Sequence, residues 1–117
     1  MIVYISIGNS DDKLLQREWA AYAGGVLGAV RQAEANGATT HGSWTSLPFS
    51  AFQNACWCVE IRPEDAEALK AELRDLADIY RQDSVAWAEA PVTEFLRPKP
   101  MYGAATIETS TDGRTAA

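Results

Sequence analysis

The chain has 117 residues with 47% hydrophobic and 22% charged side chains and two cysteines, so it has length for one domain and not for a disulfide scaffold. Ten basic against 16 acidic side chains leave a net charge of -6 and a pI near 4.6, which excludes a phosphate backbone as the default partner. No apolar run approaches the roughly 20 residues a membrane span needs, and Met1 leads directly into Ile2 and Val3 without a basic leader, so a soluble cytoplasmic protein is expected.

In chain order, Ile2, Val3, Tyr4, Ile5 and Ile7 make a nearly continuous β-branched and aromatic run, expected as a strand over 1–7 covered on both faces or central in a sheet. Gly8, Asn9, Ser10, Asp11 and Asp12 end it, since each is a turn former and two of them are good helix N-caps. From 14 to 35, Leu15, Trp19, Ala23, Val26, Val30 and Ala33 recur at steps of three and four, the stripe of an amphipathic helix. Gly24, Gly25 and Gly28 inside it predict a kink or a close approach by another backbone. Asn36 and Gly37 supply a left-handed stop.

Residues 38–46 alternate polar and small side chains around Trp44 and are expected to form a polar strand. The connection 47–52 carries Phe49 and Phe52, with room to fold back or to protrude as a contact. Over 54–61, Ala55, Trp57, Val59 and Ile61 alternate with Asn54, Cys56, Cys58 and Glu60, so this strand should pair with the preceding one as an antiparallel hairpin. Pro63, Glu64 and Asp65 start a second helix, whose stripe Ala66, Leu69, Leu73, Leu76 or Ala77, and Tyr80 reaches about Arg81. Residues 84–90 read as a fourth strand, and 92–96 as a short fifth beyond Pro91. From Pro98 the apolar content collapses, giving a domain over 1–97 and a tail over 98–117.

Strand, helix, strand, strand, helix, strand is the order of a ferredoxin-like β-α-β-β-α-β sandwich, with two helices on one face of a four-stranded antiparallel sheet. One sheet face is then free to dimerise, bind a ligand or take a terminal segment.

The residues that carry chemistry are few. Cys56 and Cys58, two apart on a strand, point to one face about 7 Å apart, too far and too parallel for a mutual disulfide. With His41 they supply three of the four ligands of a closed zinc site, so small core thiols are the expected reading and no metal or cofactor is assigned. Trp19, Trp57 and Trp87 fall on apolar stripes, whereas Trp44 stands on a polar strand beside Phe49 and Phe52, and is divided between a core role and an exposed contact. Asn9 and Asp11 follow the first strand, Gln53 and Asn54 open the third, and Gln82 and Glu89 flank the fourth; these amides and acids are divided between converging at one sheet end as a small-ligand site and simply satisfying the backbones of the turns. No catalytic constellation is present in the sequence.

VYISIGNSDDKL, QNACWCVEI and YRQDSVAWAEAPVTEFL resemble segments of small uncharacterised proteins of high-GC (actinobacterial) bacteria and their phages, over residues 1 to about 97. The resemblance implies a phage-related accessory origin and transfers no catalytic residue. The expectation is a non-enzymatic binding module, a homodimer through its sheet, that contacts a host protein or small signalling ligand through Trp44, Phe49 and Phe52. The competing expectation is a small-molecule or nucleotide-binding enzyme with an inter-subunit site.

Overall fold

The computed structural model describes residues 1–9, 12–48 and 50–99. Its elements are β1 (Ile2–Gly8), α1 (Gln16–Ala35), β2 (Thr39–Thr45), β3 (Asn54–Glu60), α2 (Pro63–Ile79) and β4 (Ala86–Glu89). The fold is α+β, with two helices and one four-stranded antiparallel sheet in the order β2-β3-β1-β4. β1 is therefore central, as its β-branched run predicts. Residues 92–96 do not form a fifth strand: Pro91 has no N–H to continue the ladder beyond the bond from the Ala90 N–H to the Ile2 carbonyl. Asp11, Phe49 and the tail beyond residue 99 lie outside the described residues.

Alternation decides which sheet face is buried. Val3, Ile5 and Ile7 of β1 and Ala55, Trp57 and Val59 of β3 point into a single core with Trp19, Tyr22, Val26, Ala29 and Val30 of α1 and Leu69 and Leu73 of α2. The helix stripe is displaced from the expected one at its start. Leu14 is buried and Leu15 stands 58% exposed as the residue before the first helical turn, because the chain enters the helix through a turn organised by Asn9. Of the cluster at 9–12, the described residues Asn9 and Asp12 do not cap α1, whose N-cap position is Leu15. Instead the Glu18 carboxylate accepts the Leu15 N–H at 2.9 Å.

Both helices stop in the same way. The Ala38 N–H reaches the Ala33 carbonyl and the Gly37 N–H the Glu34 carbonyl, with Gly37 at φ 109°. After α2 the Gln82 N–H reaches the Ala77 carbonyl and the Arg81 N–H the Asp78 carbonyl, with Arg81 itself at φ 58°. Of the three glycines in α1, only Gly25 meets a neighbour: a Cβ there would lie 2.9 Å from a Leu76 methyl, so α2 packs directly against the helix at this point.

Candidate functional site

The strand register sets out the face of the sheet opposite the core. One row across it runs Trp44, Cys56, Ser6, Ala86, and the next runs Gly42, Cys58, Tyr4, Ala88. A third row, Thr39, Glu60 and Ile2, brings the first carboxylate, which pairs with His41 at 2.9 Å. The two central rows contain no charged side chain. Trp44 is 56% exposed and Tyr4 is 44% exposed, while the two thiols between them are half-buried.

Cys56 and Cys58 therefore belong to the open face and are not core thiols, because the even positions of β3 point away from the helices that cover Trp57 and Val59. His41 does not join them. It sits in the irregularity between Thr40 and Gly42 and turns to Glu60, and among the described residues no three His, Cys, Asp or Glu side chains cluster as a metal site. The Tyr4 phenol is raised above its usual pKa, first by its hydrogen bond with the Cys58 thiol and then by the negative charge that thiol carries when ionised.

The expected convergence at the sheet end takes place in part. The Asn9 N–H donates to the Gln53 carbonyl at 2.7 Å, joining the end of β1 to the start of β3. Both side chains are buried and both are engaged by the chain itself. Asn9 Oδ1 accepts the Leu14 N–H and Nδ2 donates to the Leu14 carbonyl, each at 3.0 Å. Gln53 Nε2 donates to the Pro48 carbonyl and to Gln16 Oε1, both at 3.0 Å. Such closed pairings hold a loop and leave little to read a ligand. Asn54 is exposed and donates to the Phe52 carbonyl, and Phe52 is 62% exposed with φ 55°, a left-handed conformation costly for an aromatic residue.

Gln82 lines two hollows. One, of about 370 Å³, lies beside Ser6, Gly8 and Ser84 at the sheet end; the other, of about 440 Å³, lies between α2 and β4. The second has an apolar floor of Leu73, Ala77 and Val85, with Lys70 Nζ 5.0 Å above the Trp87 ring. Glu89 is not part of either hollow; its carboxylate accepts the Trp87 indole N–H at 3.2 Å. Tyr4 and Gly42 are the site residues that sequence reading overlooked. The signal for the first was Ser6, whose polarity marks the even positions of β1 as an uncovered face.

Neither protein-family models nor curated proteins yield a match to this chain. The geometry of the open face is accordingly what a functional reading must stand on.

Proposed function

We propose that this is a small non-enzymatic binding module of ferredoxin-like arrangement, a phage-related accessory protein acting in the cytoplasm, that pairs with a second copy through its open sheet face. The observation that carries the reading is an indole and a phenol standing in water on two rows of the sheet without a single charge. Two chains of net charge -6 repel over most of their surfaces, and these rows are where contact is least opposed. The strand order β2-β3-β1-β4 supports the ferredoxin-like arrangement.

By strand spacing the face projects over roughly 400 Å², about half the 800 Å² per partner of a standard interface. Further apolar surface is needed, and the arm that follows β4 offers it: Val92, Phe95 and Leu96 are exposed within residues 91–99. At the far end of the face, Leu47 and Phe52 in the loop between β2 and β3 are the surface for a host protein or small ligand. The use of Asn9 and Gln53 in internal pairings favours this reading over a catalytic site at the sheet end.

The test is sedimentation equilibrium of the wild type beside Trp44→Ala. Loss of the dimer with retention of a folded monomer, read as native circular dichroism, is expected, since an exposed side chain contributes little to the fold of the single chain. A monomeric wild type, or a dimer that ignores the substitution, overturns the reading.

A further inference from the structure

Gly42 has no steric explanation within its own chain. It stands inside β2, where a glycine weakens a strand; its φ is not in the left-handed region, and a Cβ built on it meets nothing within 4 Å. The neighbouring irregularity between Thr40 and Gly42 does not demand it either, since only a left-handed bulge position requires glycine. A glycine in a strand with open space above it is what close approach from outside the chain would select.

The two uncharged rows identify what approaches. A two-fold axis lying in the plane between two facing sheets and running across their strands lays each row of one copy over the other row of its mate. Trp44 then falls over Gly42, Tyr4 over Ser6, Ala86 over Ala88 and Cys56 over Cys58. Each aromatic side chain meets a small one, and the slot above Gly42 receives the largest. An axis along the strands would set Trp44 against Ala86 and leave Gly42 facing only Ala88, so it gives the glycine no purpose.

Resting on the proposed pairing of open faces, we propose that two copies pack about a two-fold axis crossing the strands, seating Trp44 of each on Gly42 of the other and bringing Cys56 of each against Cys58 of the other. Inter-sheet disulfides between packed sheets have precedent in immunoglobulin-type sandwiches, so the thiols are placed to report the arrangement and to lock it. The lock forms by exchange with a low-molecular-weight disulfide such as oxidised glutathione. One cysteine thiolate attacks it and releases one glutathione thiol; the facing cysteine displaces the second, leaving one interchain disulfide and two reduced glutathiones.

The full chain is incubated with oxidised glutathione and run on a non-reducing gel. The wild type should give a covalent dimer, and Cys56→Ser and Cys58→Ser should each lose it. An equimolar mixture of the two variants, allowed to exchange subunits, should regain it, because one copy then contributes Cys58 and the other Cys56. Gly42→Ala, whose added Cβ meets nothing within 4 Å, should weaken dimerisation at least tenfold while the single chain stays folded, read as native circular dichroism. A single variant that still cross-links, or a mixture that does not, overturns the crosswise axis. If Trp44→Ala dissociates a wild-type dimer that never cross-links, the open-face pairing stands and this axis fails. A wild type that sediments as a monomer overturns both.

Discussion

Asn9 shows how one side chain can hold a site's architecture without belonging to a site. Its amide closes both polar groups of Leu14, and its N–H ties β1 to the Gln53 carbonyl. Asn9→Ala leaves the Leu14 groups unpaired in a buried position, so a loss of roughly 2 kcal/mol of stability is expected in chemical denaturation. Tyr22 is the converse case. It is fully buried between Trp19 and Tyr80, yet its hydroxyl has no partner among the described residues. Tyr22→Phe should be neutral or stabilising by up to about 1 kcal/mol. Burial also raises the Tyr22 pKa above its usual 10.0, which favours the neutral phenol in the folded chain. The associated stability is complete below pH 10.0 and is lost as pH climbs through the raised value, so Tyr22→Phe should flatten the alkaline limb of the melting-temperature profile. Glu18 works in the opposite sense. The Leu15 N–H, and then Arg81, lower its pKa below 4.5, so its contribution is present above that pH and fades as the solution is acidified through the lowered value. Melting temperatures of the wild type and Glu18→Gln should accordingly differ at neutral pH and converge in acid.

Among the elements, α1 carries a departure from local propensity that packing explains only in part. Gly25 faces the Leu76 methyl across the helix pair, whereas added methyls at Gly24 and Gly28 would meet open space. Gly24→Ala and Gly28→Ala should each stabilise the fold by about 0.5–1 kcal/mol, read as a higher denaturation midpoint. Gly25→Ala should gain less, because the Leu76 side chain must move aside. β3 and α2 were the most legible elements. Ala55, Trp57 and Val59 keep strict period two, and Ala66, Leu69, Leu73 and Ala77 keep the helical period, because each element buries one face only. β1 misled in one respect: Ile2 and Tyr4 are as β-prone as Val3 and Ile5, so within the run Ser6 alone marks its even positions as uncovered. Tyr22 escaped the expected α1 stripe although it stands three residues from Trp19 and four from Val26, since Leu15 drew that stripe one residue off its true start.

For the molecule as a whole, the proposed dimer draws on both the uncovered face and the arm. Val92, Phe95 and Leu96 follow an edge strand and expose 82%, 54% and 83% of their surface. Replacing all three with serine should weaken the dimer while leaving the monomer's melting temperature nearly unchanged, measurable by sedimentation and calorimetry on the same samples. The site was only half legible for a related reason. Trp44 stands out as an aromatic on a polar strand, and Phe52 as an aromatic in a loop; Asn9 and Gln53 carry the same side-chain chemistry whether they read a ligand or hold a turn. The sequence alone determines the element order, the helix and strand periods and the absence of charge from the even positions at the centre of β1 and β3, because these follow from neighbours along the chain. Only the tertiary structure decides that β1 lies between β3 and β4, that Asn9 and Gln53 turn inward, and that Tyr4, Trp44, Gly42 and both cysteines share one open face. Strand pairing joins residues some fifty positions apart, and the burial that settles each side chain's role exists only once those distant segments meet.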